Sequence, residues 1–255
     1  MRGLLQDKSW KGAREEFQRA RVALIPVGSI EQHGPHLPLG TDFFAAKALA
    51  EAAAEASGAL CAPAIPVGLS EHHRQFWGTL WVAPEHFRGY MRGIAESLAY
   101  HGIERMIYVN GHGGNLAALQ EVCRELHRHG VFALVWQWWH AVAQLAAELF
   151  PQAGSHAAEA ETALMLYLSE GLVDRSALAE AAAGAAPRWG LQKFGTDSSF
   201  DTIDFSESGA TGDPQRATRE AGEKLFHEAL ERLVGLVRWL DGLSAEDLNP
   251  REHKP

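Results

Sequence analysis

Short apolar runs alternate along the chain with longer segments in which apolar residues recur at helical spacing. A short apolar run bounded by turn residues is typical of a buried strand, and a longer amphipathic segment is typical of a helix. Strands joined through helices favour a mainly parallel sheet with helices on both faces. The chain is therefore predicted to have an α/β fold. The predicted strands are 22–28, 60–67, 105–110 and 131–136, and the predicted helices are 9–20, 41–57, 84–101, 115–129, 156–170 and 215–240.

Glycine and proline refine these boundaries. Gly58 is predicted to end the second helix, because glycine readily takes the left-handed conformation that follows a helix. Pro63 and Pro66 interrupt the second apolar run, which predicts an edge strand or a short strand. Residues 184–214 lack periodicity, and so long an irregular segment is more typical of a binding loop or an oligomer contact than of a linker.

No change of composition marks a second domain in the 255 residues. This length is sufficient for one large α/β domain with a sizeable core. We therefore expect a single domain over 1–255, with an N-terminal extension at 1–20 and a C-terminal tail at 242–255.

Net charge and cysteine content limit the function classes. The net charge of -9 and the sequence pI near 5.8 argue against nucleic acid and anionic membranes as partners. Cys61 and Cys123 form no CxxC motif and no disulfide framework, which is typical of a reducing compartment. The sequence has no apolar signal-peptide core and no apolar stretch long enough to span a bilayer. We expect a cytoplasmic protein.

Metal-ligand side chains follow two of the predicted strands. Glu31 and His33 come after the first strand, Asp42 follows near the start of a helix, and His112 lies in the glycine-rich turn Asn110–Asn115 after the third strand. Open α/β sheets place their active sites just beyond the carboxyl ends of strands. Carboxylates and imidazoles suit zinc, manganese or iron, and a bridging aspartate favours two metals about 3.5–4 Å apart. The alternative for each residue is an ordinary loop hydrogen bond or a helix cap.

A third cluster lies at His156–Thr162. If a helix has begun by His156, this residue and Glu159 share a face, whereas Glu161 points nearly the opposite way. The spacing therefore pairs His156 with Glu159. The alternative is a solvated acidic first turn, which the helix dipole favours in any case.

Other residues are candidates for contact with a substrate. His73 lies in a segment with a second histidine and an aromatic pair, either at the mouth of a pocket or in a polar loop. Trp139 follows the fourth predicted strand and either lines a flat pocket or packs in the core. Gly113 and Gly114 lack the GxGxxG spacing of a dinucleotide site, and their backbone could face a substrate.

These motifs make the chain similar to the creatininase (creatinine amidohydrolase) family. The resemblance implies a three-layer α/β fold, two divalent metal ions per subunit, hydrolysis of a non-peptide or cyclic amide C–N bond in a small molecule, and a homo-oligomer, often a hexamer. Zinc is the expected metal, with manganese or iron as alternatives. The matching motifs, in order, are Gly28–Pro38 with Asp42, Phe76–Thr79, Asn110–Asn115, His156–Thr162 and Gly209–Pro214.

The resemblance also implies roles for single residues. His156 is expected to be the general acid/base that serves the leaving nitrogen, and Trp139 is expected to line or gate the substrate pocket. Creatininase proper has a glutamate ligand where this chain has Gly114. We infer that Glu159 replaces it from the opposite wall, with Glu161 as the competing choice. The expected metal ligands, with Asp42 as the bridge, are Glu31, His33, Asp42, His112 and Glu159.

The substrate does not follow from the family name. The tryptophan that creatininase has shortly before its catalytic histidine is missing from 151–155, and Trp77 stands where the family commonly has proline. The glycine turn looks more like the branch that includes formylaminopyrimidine deformylases and the mycofactocin-precursor peptidase. The alternatives are therefore a formamide deformylase or a peptidase acting on a small precursor.

The expected reaction is attack on the amide by a water activated between two metals. The backbone amides of the Gly113–Gly114 turn would help to hold the oxyanion. A non-catalytic metal- or ligand-binding protein is the alternative of a different class, and its metal would have no open coordination position.

Overall fold

The computed structural model describes residues 3–250, and a parallel sheet lies at its centre. The strands are β1 (Val22–Val27), β2 (Leu60–Cys61), β3 (Arg105–Asn110), β4 (Phe132–Gln137), β5 (Gln192–Lys193) and β6 (Thr196–Asp197). The helices are α1 (Trp10–Arg19), α2 (Thr41–Ser57), α3 (Pro84–Tyr100), α4 (Leu116–Arg128), α5 (Trp138–Ala141), α6 (Ala143–Leu149), α7 (Glu159–Ser169), α8 (Leu178–Ala183), α9 (Arg219–Asp241) and α10 (Ala245–Leu248). The sheet has the order β2-β1-β3-β4, and β5 pairs with β6 in a separate hairpin.

Alternate side chains of the central strand β1 enter two different hydrophobic cores. Val22 and Leu24 pack with residues of α2, α7 and α9 on one face, whereas Ala23 and Ile25 pack with residues of α3 and α4 on the other. Because both faces are buried, the strand is a continuous apolar run rather than an alternating one. The predicted three-layer α/β architecture with a mainly parallel sheet is confirmed.

The connections of the sheet change direction between β1 and β3. From β1 the chain crosses through α2 to β2 at one edge, and from β3 it crosses through α4 to β4 at the other. The carboxyl ends of β1 and β3 therefore flank the kind of crevice in which open α/β sheets bind ligands.

Two glycines let the amino terminus of α2 approach these strand ends. A Cβ atom at Gly28 would overlap the backbone of Phe43, and a Cβ atom at Gly111 would overlap the carbonyl oxygen of Asp42. A larger residue at either position would push α2 away from the sheet. The two glycines thus allow Asp42 to lie at the carboxyl ends of both central strands.

Most predicted elements agree with the structure, and α7 is the informative exception. Gly58 ends α2 with a φ of 80°, and β2 is a short edge strand. Helix α7 begins at Glu159 instead of at 156 or 157. Ala157 has a φ of 49° and Ala158 is extended, so neither residue can belong to the helix.

The remaining segments lie outside the sheet. The irregular segment 184–214 contains the β5–β6 hairpin and short turns. The predicted extension at 1–20 contains α1, and the predicted tail at 242–255 contains α10. Residues 1–2 and 251–255 of these two predictions lie outside the described residues. Among the described helices, none combines the length and the apolar character that crossing a bilayer requires.

Helix α9 packs on α7 through a glycine, which gives a test of the fold. A Cβ atom at Gly222 would overlap the carbonyl oxygen of Ala163, whereas a Cβ atom at Gly235 would meet nothing within 4 Å beyond the neighbouring backbone of its own helix. We expect Gly222→Ala to lower the free energy of unfolding by about 1–3 kcal/mol through overpacking. The matched control Gly235→Ala should raise it by roughly 0.5–1 kcal/mol, because alanine is the better helix former. Urea unfolding followed by circular dichroism measures both, and equal effects would contradict this packing.

Candidate active site and metal centre

Three carboxylates and two imidazoles, nearly all of them buried, meet at the carboxyl ends of β1 and β3. Glu31 and His33 lie in the loop after β1, Asp42 in the first turn of α2, His112 after β3 and Glu161 in the first turn of α7. Only the side chain of Glu161 is partly exposed, by 15%. Three groups of ligand atoms each lie within 4.8 Å of one another. Two of them share Asp42, namely Glu31 with Asp42 and His112, and His33 with Asp42 and Glu161, and the third is Glu31 with His33 and His156.

A hydrogen bond decides which nitrogen of His112 faces the acids. Its Nε2 lies 3.1 Å from the carbonyl oxygen of Leu69, which can only accept, so Nε2 carries the proton. Its Nδ1 lies 3.0 Å from Glu31 Oε2 and 3.2 Å from Asp42 Oδ2. A neutral His112 would direct a lone pair at two carboxylate oxygens. A cation, either a proton or a metal ion, is therefore required between His112 Nδ1 and the two carboxylates.

His33 has the same arrangement with its nitrogens exchanged. Its Nδ1 lies 3.1 Å from the carbonyl oxygen of Glu31 and donates to it. Its Nε2 lies 3.1 Å from Asp42 Oδ1 and 4.0 Å from Glu161 Oε2. Metal-binding histidines are generally oriented in this way: one ring nitrogen faces the metal, and the other donates to a backbone carbonyl or a carboxylate.

The two carboxylate oxygens of Asp42 face different histidines, with Oδ1 toward His33 and Oδ2 toward His112. Among the described residues, both oxygens of Glu31 and Oδ2 of Asp42 are buried and accept no hydrogen bond. Buried carboxylates are stable only when they are paired or bind metal. These oxygen and nitrogen donors fit zinc, manganese or iron.

Protons balance these acids in the metal-free protein. Burial alone would lower the pKa of His33, but the neighbouring carboxylates, Asp42 first, raise it to about 10. The pKa of His112 also rises well above its ordinary value, because Glu31 and Asp42 outweigh burial. Burial alone would raise the pKa of Glu31, yet His112 holds it well below its ordinary value. Burial raises the pKa of Glu161 to about 7, against the attraction of His33.

Glu159, the expected fifth ligand, lies outside this group. Its Oε2 accepts from the N–H of Gly154 at 3.0 Å, and its Oε1 accepts from the N–H of Asp213 at 3.2 Å and contacts Arg216 Nη1 at 3.4 Å. Because α7 begins only at Glu159, the helical spacing behind the expectation does not exist. The structure thus places Glu159 away from the group and brings Glu161 to it instead.

His156 lies beside the group, and its ligand atom is within 4.8 Å of those of Glu31 and His33. Its Nε2 lies 3.0 Å from the backbone carbonyl oxygen of Gln32 and also 3.0 Å from the Gln32 side-chain nitrogen. The two hydrogens of that side-chain nitrogen go to His73 and Gly209, so we place the His156 proton on Nε2, where it donates to the carbonyl. Its Nδ1 faces Glu31 Oε1 at 3.9 Å. Burial, followed by repulsion from His33 and His73, lowers the pKa of His156 well below its ordinary value. His156 is therefore neutral, and its unprotonated Nδ1 faces the group, which is the form that accepts a proton.

His73 supports Glu31, a contact that sequence reasoning did not find. The amide nitrogen of Gln32 donates to His73 Nδ1 at 2.8 Å, and the Thr202 hydroxyl lies 2.9 Å from the same atom. The proton of His73 is then on Nε2, which faces Glu31 Oε1 at 3.2 Å. The Gln32 amide also donates to the carbonyl of Gly209 at 3.0 Å. Gln32 belongs to the motif Gly28–Pro38, but the spacing of residues in that motif predicts none of these partners.

A cavity of about 460 Å³ opens over the group, which is within the usual size of ligand pockets. The expected substrate-binding residues all line this cavity, namely His73, Gly113, Gly114 and Trp139. The cavity therefore joins the carboxylate and imidazole group to an aromatic wall.

The irregular segment forms the outer wall of the cavity through Trp189 and several residues of 197–205. The ring of Trp189 lies 5.4 Å from that of His156. Arg74 Nη2 lies 2.7 Å from Asp201 Oδ2 and anchors the wall. The sequence predicts a binding loop or an oligomer contact here, but no spacing relates Trp189 to the other site residues.

Comparisons with known proteins agree with this geometry. The profile of the creatininase family, described as creatinine amidohydrolase, matches residues 6–237. The mycofactocin precursor peptide peptidase of Mycobacterium ulcerans (strain Agy99) is 34% identical over 231 residues, which are 86% of each chain. The creatinine amidohydrolase of Pseudomonas putida is 26% identical over 236 residues, which are 85% of this chain and 88% of that chain.

Solved structures of creatininase have the same fold. The crystal structure of creatinine amidohydrolase (creatininase) has a TM-score of 0.81 at 24% identity and covers 95% of this chain and 99% of its own. A Zn–Zn form and an Mn form each have a TM-score of 0.80 at 24% identity, covering 95% of this chain and 100% of their own. Because the family profile spans most of the chain, the protein belongs to the creatininase family and is a hydrolase that acts on carbon–nitrogen bonds.

Proposed function

We propose that the protein is a metal-dependent amidohydrolase that holds two divalent ions per subunit. The observation that carries this proposal is the division of Asp42 between two groups of ligand atoms. Its Oδ2 belongs to the group with Glu31 and His112, and its Oδ1 belongs to the group with His33 and Glu161. Zinc suits these donors best, with manganese or iron as alternatives. The Zn–Zn and Mn forms of creatininase support the first two metals.

The residues around the group have distinct tasks in the proposed reaction. Divalent ions in this site would lower the pKa of water toward neutrality and polarise an amide carbonyl. His156 Nδ1 accepts the proton of the attacking water and passes it to the departing nitrogen, while its Nε2–H stays bound to the carbonyl of Gln32. The Gly113–Gly114 turn lines the cavity, and we assign its N–H groups to the developing oxyanion. Trp189 limits the access of bulk water.

A peptide bond in a small precursor is the substrate that similarity favours. The relative named as a precursor peptide peptidase is 34% identical to this chain, and the one named as a creatinine amidohydrolase is 26% identical. The chain also has Gly114 where creatininase proper has a glutamate ligand. A small cyclic amide or a formamide is the second candidate, because it requires the same metal ligands and differs only in how it fills the cavity.

We infer a cytoplasmic homo-oligomer, and the family resemblance favours a hexamer. Cys61 and Cys123 are free thiols, which is typical of a reducing compartment. Trp77 and Phe194 are almost fully exposed large apolar residues. Such residues support a surface that is covered in an assembly.

A substrate panel tests the proposed function. We expect protein loaded with zinc or manganese to hydrolyse short peptides, and we expect a chelator to abolish the activity because the water is then no longer activated. Cyclic amides and formamides belong in the same panel, with products measured by mass spectrometry. Metal-loaded protein that cleaves no member of the three classes would sink the proposal and favour the non-catalytic alternative.

Catalysis and metal binding should separate between His156 and the ligands. We expect His156→Ala to keep its metal and to lose turnover by about 100- to 10,000-fold, the usual contribution of a general acid/base. Asp42→Ala and His112→Ala should lose metal, because each removes a donor atom. Elemental analysis after dialysis and initial rates measure the two effects. Full activity in His156→Ala would remove this residue from the mechanism.

The two acids of α7 should behave differently. We expect Glu161→Gln to lose one of the two proposed ions, because its carboxylate faces His33 and shares that point with Asp42. Glu159→Gln is the matched control, since its carboxylate binds backbone N–H groups and Arg216 instead. It should keep both ions and unfold at a lower temperature. The reverse pattern in elemental analysis would return the ligand role to Glu159.

A further inference from the structure

Side chains hold the backbone of the loop that carries His156. Four successive N–H groups each donate to a side-chain oxygen, and none of these bonds belongs to a helix or a strand. They are Gly154 to Glu159 Oε2 at 3.0 Å, Ser155 and His156 to Thr211 Oγ1 at 2.8 and 3.0 Å, and Ala157 to Glu161 Oε2 at 2.5 Å.

Thr211 binds both backbone polar groups of His156. Its hydroxyl accepts from the N–H of His156 and lies 3.3 Å from the carbonyl oxygen of the same residue. The N–H of Thr211 donates to that carbonyl at 2.9 Å. Thr211 is completely buried, so water cannot replace these bonds. A hydroxyl is required here, because it accepts and donates at the same time.

The backbone beside His156 adopts a conformation that residues other than glycine avoid. Ala157 has a φ of 49°. Such a conformation costs free energy and persists only where the surroundings hold it in place. Loss of the bonds to Thr211 would let the loop relax toward an ordinary conformation, and the imidazole of His156 would turn with it.

The segment that carries Thr211 is fixed against this loop. A Cβ atom at Gly154 would overlap the carbonyl oxygen of Thr211, and a Cβ atom at Gly212, whose φ is 76°, would lie 2.5 Å from the nitrogen of Gly154. Arg216 on the same segment pairs with the buried Glu159 at 3.4 Å. Because the two segments pack at backbone distance, the Thr211 hydroxyl is a rigid reference point for His156.

We propose that Thr211 is a positioning residue that keeps His156 Nδ1 directed at the metal ligands. This inference rests on the proposed acid/base role of His156. Among the described residues, Thr211 is not one of those that line the cavity. It therefore acts on the reaction through His156. His156 is then held at two places: Thr211 binds its backbone, and the backbone carbonyl of Gln32 binds Nε2 of its ring.

The test is Thr211→Val, which keeps the shape of the side chain and removes the hydroxyl. We expect kcat to fall about 10- to 100-fold, the effect of misplacing a catalytic group by roughly 1 Å. KM and metal content should change little, and Thr211→Ser should restore kcat because it restores the hydroxyl. Thr211→Ala makes the same test if the valine variant does not fold. A fall in Thr211→Ser as large as in Thr211→Val would overturn the proposal.

Two controls separate positioning from general stability. Ser57→Ala removes another hydroxyl, which donates to the carbonyl of Ala53 at 2.6 Å near the far end of α2, and it should leave kcat unchanged. In a His156→Ala background, Thr211→Val should cause no further loss, because residues that act through one another are not additive. A full additional loss in the double variant would show that Thr211 does not act through His156.

A readout without substrate keeps this inference separate from the proposed function. Imidazole ¹⁵N NMR of the zinc-loaded protein should show His156 as a single tautomer with the proton on Nε2 in the wild type and in Thr211→Ser. Thr211→Val should show exchange between tautomers. An unchanged His156 spectrum in Thr211→Val overturns the positioning role even if the protein hydrolyses none of the substrates offered, whereas inactivity of the wild type alone counts against the proposed function.

Discussion

The Asp42 carboxylate, placed between two imidazoles from different loops, is the constraint on which the site depends. Its oxygens lie 3.1 Å from His33 Nε2 and 3.2 Å from His112 Nδ1, and Glu31 and Glu161 complete the surrounding acids. Acids buried this close together repel one another unless cations lie between them. Protons on the two histidines meet this requirement in the metal-free protein. Divalent ions would displace those protons, so metal binding and protonation compete for the same positions.

The sheet explains how Asp42 comes to lie there. The strands β1 and β3 are neighbours whose connections leave in opposite directions, so a crevice opens at their carboxyl ends. Helix α2 can enter this crevice because Gly28 and Gly111 have no side chains to obstruct it. The first turn of a helix also favours a negative charge. Backbone packing and the helix dipole therefore act together to place the carboxylate where two loops can share it.

Much of the fold and four of the five residues in the carboxylate and imidazole group could be predicted from the sequence, because they depend on local signals. The apolar runs identify the strands, and Glu31, His33 and His112 follow strand ends within a few residues, where sheet geometry brings them together. The choice between Glu159 and Glu161 could not be predicted in this way. It depends on where α7 begins, and the loop just before that point bonds to Thr211, which is 55 residues away from His156 in sequence. In general, side-chain bonds between distant segments carry no periodic signal.

The division between the rigid and irregular parts of the site explains how one family can act on different amides. The proposed metal ligands come from strand ends and helix starts that the cores hold in place, so their arrangement tolerates little change. The outer wall, in contrast, comes from the segment with Trp189 and Asp201, which contains only a short hairpin and turns. Loops on a rigid scaffold can vary in sequence without disturbing the core. We therefore assign the chemistry of C–N hydrolysis to the carboxyl ends of β1 and β3, and the choice of substrate to the outer wall.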